Sequence, residues 1–181
     1  LDPEYGALYS LLGWTHLMDL WVQSSESPEI SFAQASKNIK KALALDDQDY
    51  VAYLTLAHLY YLRKEPDKAI ATAERAIALN LNGADAYALL GHLFTITGNP
   101  EEGIKLIKKA IRLNPIPPAH YLFYIGYAYY ALGRYEDAIE LLKGSLQRSP
   151  NNLFAHVNLI ATYSASGREE EARQQAERVL R

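Results

Sequence analysis

Small residues recur along this chain at a nearly constant step, and no other feature restricts its fold so tightly. Gly126 follows Gly91 by 35 residues and Gly91 follows Ala57 by 34; Ala138, Gly103 and Ala69 repeat the same intervals. Ser145, Ala110, Ala76 and Ala42 are spaced by 35, 34 and 34, and a further 34 beyond Ser145 lies Val179. Residues 119–150 display the unit, AHYLFYIGYAYYALGRYEDAIELLKGSLQRSP: two helical runs hinged at Gly133, the first packing round Gly126 and the second round Ala138. A helix–turn–helix period of this length, with small residues where helices cross, describes an array in which each unit buries its apolar face on the next. The expectation is therefore an all-α chain of five antiparallel helix pairs, about 4–47, 48–81, 82–115, 116–150 and 151–181, forming one array without strands.

Composition narrows what such an array can do. A net charge of −3 provides no electrostatic footprint for nucleic acid, which calls for a clustered basic face. Basic residues do recur in the second helices (Lys37, Lys40, Lys41, Lys68, Arg75, Lys105, Lys108, Lys109, Arg112), with acids interleaved, as on a solvated outer face. The longest apolar run, near residues 121–132, is broken by Gly126 and rich in tyrosine, so it reads as a buried helix and no direct membrane insertion is expected. With no cysteine, disulfides and thiolate metal sites are excluded. The compartment stays open: cytoplasmic is the first expectation, an extracytoplasmic domain of a membrane-anchored signalling protein the alternative. No phosphate-cradling glycine loop, zinc-type His/Glu spacing or nucleophile elbow is present, so no catalytic residue, cofactor or metal site is assigned and the segment is not read as an enzyme. His58 and His92 occupy the same place in consecutive repeats, but no third ligand joins them.

Local signals place the boundaries. Leu1-Asp2-Pro3 matches Leu113-Asn114-Pro115 and reads as the tail of an earlier second helix, hence a segment of a longer protein whose missing repeat would leave an apolar edge near Leu8, Leu12 and Leu17. Such an edge predicts weak homodimers through a terminal repeat. The first repeat is about ten residues longer than the others, and both its helices are expected to lengthen around residues 24–27, with Ser27 as N-cap and Pro28 at the first helical position. Trp21, Val22 and Phe32 should close that tip as a small core of its own. Further on, Gly98-Asn99-Pro100-Glu101-Glu102 is a helix stop followed by a helix start, with Asn99 as cap, and Gly133 and Gly167 repeat the hinge. The corner Asn114-Pro115-Ile116-Pro117-Pro118 is stiffened by its prolines. In the last helix Ala172, Ala176, Val179 and Leu180 are expected to point inward.

These small residues, the pairs Tyr53/Leu56 and Tyr87/Leu90, and the prolines Pro115 and Pro150 make the chain resemble tetratricopeptide-repeat proteins along its whole length. It departs from their pattern at Leu81, Gly103, Ser145 and Ile160, which bears on local packing. The resemblance implies a right-handed α-solenoid whose first helices line a concave surface. A narrower likeness rests on Leu-Asp-Pro-Glu-Tyr at the start, Leu12-Gly13-Trp14-Thr15-His16-Leu17, Ser27-Pro28 and Ile111-Arg112-Leu113-Asn114-Pro115, which look like repeat segments of bacterial class III adenylate/guanylate cyclase-like or TolB-like signalling proteins. It would make the segment a regulatory or oligomerisation module. The groove lysines and asparagines of chaperone-tail receptors are not matched.

In that architecture Tyr53, Tyr60, Tyr87, Phe94, Tyr129 and Tyr163 fall on the stripe that meets neighbouring repeats. Trp14, His58, His92 and Tyr127 fall at equivalent groove-facing places, with Leu54, Tyr61, Leu62, Phe123, Tyr124 and Tyr130 beside them. The expected function is a protein-interaction module that lays a peptide or partner helix on Trp14, His58, Tyr61, His92, Phe123, Tyr124, Tyr127 and Tyr130. Tyr135, at the hinge, should stand outside this surface.

Overall fold

The computed structural model describes residues 5–21 and 27–180, and these hold ten α-helices. They are α1 (Gly6–Trp21), α2 (Pro28–Leu45), α3 (Tyr50–Leu62), α4 (Pro66–Leu79), α5 (Ala84–Ile96), α6 (Pro100–Leu113), α7 (Ala119–Ala131), α8 (Tyr135–Arg148), α9 (Leu153–Ala165) and α10 (Glu169–Val179). No strand occurs among the described residues. Expectations for Leu1-Asp2-Pro3, Val22 and residues 24–26 lie outside the described residues. Two compact units, Leu1–Ala86 and Tyr87–Arg181, divide the chain, with the division inside α5.

Local chemistry accounts for the helix ends. Pro28, Pro66 and Pro100 open α2, α4 and α6, where their missing N–H costs no hydrogen bond. Asp49 caps α3 by accepting from the Ala52 N–H at 3.0 Å, and Asn152 caps α9 by accepting from Ala155 N–H at 3.1 Å. Asn99 and Ser27 stand at the expected N-cap positions, yet neither side chain makes the cap bond. The hinge between paired helices needs a left-handed residue: Gly98, Gly133 and Gly167 supply it at φ of 93°, 71° and 77°, and Lys64 is forced into the same role at 59°.

In the first unit, α1 pairs with α2 and α3 with α4, while α3 also packs on both α1 and α2. The core comprises Leu17, Ala35, Ile39, Ala42, Ala52 and Leu59, with Trp14, Trp21 and Phe32 packed against it. As anticipated, the first pair is longer, 16 and 18 residues against 13 and 14 in the next. Two expectations change here. Leu17 is fully buried and belongs to the core, so the exposed apolar side of α1 is carried by Leu11 and Leu12. Trp21 and Phe32 do not close a separate tip; they join the main core, where the Arg63 guanidinium lies 4.9 Å over the Phe32 ring. Ser10 of α1 donates to the Asp49 carboxylate, tying the first pair to the cap of the next.

In the second unit, α6 packs on α7, α7 pairs with α8, α8 packs on α9, and α9 pairs with α10 and touches α7. Backbone meets backbone where Gly91 of α5 crosses Gly103 of α6: an added Cβ on Gly91 would stand 2.6 Å from the Gly103 carbonyl oxygen, and one on Gly103 2.5 Å from that of Gly91. Gly103 in place of alanine is thus required by packing, since its own Cβ would collide with Thr95. Ser145 is also accounted for: fully buried, it donates to the Ala119 carbonyl at 2.8 Å. Arg148 donates to the Pro117 carbonyl, so α8 holds the proline corner at two points. Ile160 packs against the cluster of Ile139, Leu142, Leu159, Tyr163 and Ala172. Leu180, expected inward, is exposed beyond the end of α10, and the buried partner of Ala172 there is Gln175.

The basic residues of the second helices are more than a solvated face. Lys41, Arg75 and Lys109, 34 residues apart, lie 4.1, 5.7 and 4.0 Å over the rings of Tyr9, Tyr53 and Tyr87. In the fourth repeat both members change together, to Leu122 and Gly144. Between repeats, Lys108 and Arg134 flank Tyr129, and Lys143 and Arg168 flank Tyr163. Each such contact stabilises by about 0.5–1 kcal/mol at partly exposed sites.

Two substitutions check this account. Gly91→Ala meets backbone and should cost about 1–3 kcal/mol, whereas Gly126→Ala meets the movable Leu142 side chain, 3.0 Å away, and should cost less. Equal losses in denaturant unfolding would refute the claim that backbone closes on Gly91 while only a movable side chain meets Gly126. Lys64→Gly should raise stability by about 0.5–1 kcal/mol by relieving the left-handed strain, visible as a higher thermal midpoint.

Candidate protein-interaction surface

The composition of α7 and α9 sets the character of the surface they present. Neither helix contains a Lys, Arg, Asp or Glu, and each holds one histidine, His120 and His156. On α7, Tyr121, Tyr124, Ile125, Ala128 and Tyr129 are buried, which leaves Phe123, Tyr127 and Tyr130, at i, i+4 and i+7, half-exposed along one stripe. The rings form a ladder: Phe123 and Tyr127 have centroids 6.5 Å apart at 22°, and Tyr127 and Tyr130 6.3 Å apart at 23°. Tyr135, expected to stand apart, extends this ladder with its ring 6.1 Å from Tyr130. Among the described residues neither the Tyr127 nor the Tyr130 hydroxyl has a hydrogen-bond partner, in contrast to Tyr9 and Tyr87, which accept from Lys41 and Lys109.

Beneath the ladder lies His92 of α5, 3% exposed, its ring stacked on Tyr124 at 4.2 Å and 11°. Its edge meets Tyr127 at 5.9 Å, and Phe123 lies 6.1 Å away. Tyr124 is itself 2% exposed, and His120 packs on it edge-on at 5.5 Å. His92 and Tyr124 were expected to contact a partner; burial makes them the floor that orients Phe123 and Tyr127 instead. Burial also pushes the His92 imidazole down to about 3, and the neighbouring His120 adds to the shift.

The remaining expected residues form a separate cluster in the first unit. His58 is buried, with Trp14 and Trp21 edge-on to it at 5.9 and 5.5 Å, and Trp21 stacks on Tyr61 at 6.5 Å and 26°. His58 therefore supports its neighbours, while Trp14, Trp21 and Tyr61 remain half-exposed. Trp21 had been assigned to the tip and is a member of this cluster.

Phe154 and Val157 of α9, 60% and 52% exposed, were missed. The signal was available in the repeat step, because Val157 lies 34 residues after Phe123 and Phe154 34 after His120. In the second unit the half-exposed stripe of α7 and these two side chains of the helix packed against it provide ring faces, aliphatic surface and phenol hydroxyls. They offer stacking and hydrogen bonding without charge.

A tetratricopeptide repeat family model matches residues 31–93 and 129–181, and a second tetratricopeptide repeat model matches residues 89–152. The chain belongs to the tetratricopeptide repeat family. Among solved structures it is similar to a thermophilic TPR protein in Thermus thermophilus, with a TM-score of 0.77 at 21% identity over 97% of this chain and 90% of that one. It is likewise similar to PilW, a widely conserved type IV pilus biogenesis factor, with a TM-score of 0.75 at 21% identity over 95% and 76%. The MamA protein matches with a TM-score of 0.63 at 22% identity over 97% and 90%. At these identities the likeness is one of fold. No curated protein matches the chain. None of these matches carries the narrower likeness to cyclase-like or TolB-like signalling proteins. As a tetratricopeptide repeat chain it has a fold generally used for protein binding and not for catalysis.

The buried histidine makes this region sensitive to acid. The unfolded chain protonates His92 near its ordinary 6.5, while the native protein resists protonation down to about 3. Between those values the unfolded state holds the extra proton, so this contribution to stability is complete above pH 6.5 and lost as pH falls toward 3. His92→Gln should lower the midpoint shift of chemical unfolding between pH 7 and pH 4. An unchanged shift would place the acid sensitivity elsewhere.

Proposed function

We propose that this chain is a non-enzymatic protein-interaction module that takes a short segment of a partner protein on the uncharged aromatic face of α7 and α9. The observation that supports this most directly is the ladder of Phe123, Tyr127 and Tyr130, half-exposed on a helix without Lys, Arg, Asp or Glu, with two phenol hydroxyls lacking partners among the described residues. Aromatic rings half out of water, rigid because packed on a buried histidine floor, are the type of anchor that dominates binding energy at interfaces. Phe154 and Val157 add exposed apolar side chains on α9, the helix that touches α7, and exposed apolar surface on a folded domain commonly marks a contact site. With no charge on either helix, affinity arises from ring contacts and hydroxyl hydrogen bonds and should depend little on salt.

Truncation distinguishes the face from the rest of the molecule. Partner protein captured from source-cell extract by the wild-type chain should be reduced roughly thirtyfold or more in affinity by Tyr127→Ala with Tyr130→Ala, as for the loss of an anchor worth at least about 2 kcal/mol. Leu81→Ala, at an exposed position of the first unit, should bind as wild type. Binding that survives the double variant with the helical content intact would transfer the site to the cluster of Trp14, Trp21 and Tyr61.

A further inference from the structure

The ladder's chemistry also narrows the kind of segment it receives, on the premise that this face is the binding surface. We infer that the α7 ladder accepts a proline-rich segment in the polyproline II conformation, running along the helix axis with its backbone carbonyls accepting hydrogen bonds from the Tyr127 and Tyr130 hydroxyls.

Three features lead to this occupant. The first is charge: α7 and α9 carry no Lys, Arg, Asp or Glu, so a charged segment would lose water on this face without gaining a counter-charge. The second is spacing. Phe123 and Tyr130 are seven residues apart on a helix that rises about 1.5 Å per residue, placing them about 10 Å apart along the axis. One turn of polyproline II advances about 9 Å in three residues, so two ligand residues on one edge meet the two outer rings, and Tyr127 lies under the residues between them.

Spacing by itself would equally suit an α-helix, and the hydroxyls decide between the two. A helix uses its carbonyls internally and would cover the Tyr127 and Tyr130 hydroxyls with carbon. An extended β-type segment brings N–H groups along with its carbonyls, and on a face without carboxylates only neutral acceptors such as the phenol oxygens could receive them. A polyproline II segment exposes every carbonyl, and at proline it has no N–H left to satisfy. Its preformed backbone also loses little conformational entropy on docking.

The test uses a blocked decaproline peptide and, as its rival, a blocked peptide of about 20 residues built from alanine, leucine and glutamine, long enough to hold a helix in water and similar to decaproline in extent. Backbone amide shifts of the isotopically labelled full chain report the location of binding. Decaproline should bind saturably, with the largest shifts at Phe123, Tyr127 and Tyr130, and Tyr127→Phe combined with Tyr130→Phe, which keeps both rings, should weaken it at least tenfold. The helical peptide should not compete. Absence of decaproline binding, or equal affinity for wild type and the double phenylalanine variant, overturns the inference. Binding of the helical peptide at the same residues in place of decaproline overturns it too, yet leaves the interaction face standing. Failure of the face itself has a different signature, namely partner capture that persists after both tyrosines are truncated to alanine.

Discussion

Everything in this chain depends on how closely two helices can approach. At Gly91 the distance is so short that an added Cβ would lie 2.6 Å from the opposing backbone oxygen of Gly103, and at Gly13 a Cβ would meet Ile39 at the same distance. Ala57, Ala69 and Ala138 fill equivalent places and are completely buried. Contact of this kind substitutes backbone for side chain at the crossing, so larger residues must lie to either side, where they interlock as in any close-packed interior.

That arrangement explains the distribution of aromatic residues. On α7, Gly126 takes the crossing, and the rings beside it are sorted by burial: Tyr121 and Tyr129 are buried, Tyr124 is buried against His92, and Phe123, Tyr127 and Tyr130 are half-exposed. The buried tyrosines on the outer side are covered by cations, as when Lys108 and Arg134 flank Tyr129. Among the described residues no cation covers the surface ladder. The contrast follows from the charge partition between the two helix types, since α8 and α10 carry acidic first turns and basic last turns while α7 and α9 hold no Lys, Arg, Asp or Glu. Within the second unit, a neutral aromatic stripe beside helices rich in charge is a chemically distinct region to offer a partner.

Periodicity made most of the architecture legible before any coordinates. The five-pair helical pattern, the lengthening of the first pair and the hinge at Gly98, Gly133 and Gly167 all follow from residue type and spacing. Lys64 at the fourth hinge has no glycine to announce it, and only the repeat step identifies its left-handed backbone. Phe123, Tyr127 and Tyr130 were readable as a stripe because i, i+4 and i+7 share a face of any helix. Exposure within the candidate set was not readable. His58, His92 and Tyr124 share positions with exposed residues elsewhere, and burial came from rings contributed by other helices. Leu17 was likewise covered by contacts distant in sequence, and Phe154 and Val157 stayed open for want of such cover.

The sequence by itself determined the repeating unit, because helix periodicity, caps and small crossing residues are local properties that each stretch carries wherever it is placed. Only the tertiary structure decided which member of each aromatic stripe is floor and which is surface. That outcome depends on the volume of side chains from helices far apart in the chain, and on whether a basic residue of an adjacent helix can reach a ring. A tyrosine that a lysine covers and a tyrosine left with a free hydroxyl are the same letter in the sequence; packing across repeats makes one structural and leaves the other available for binding.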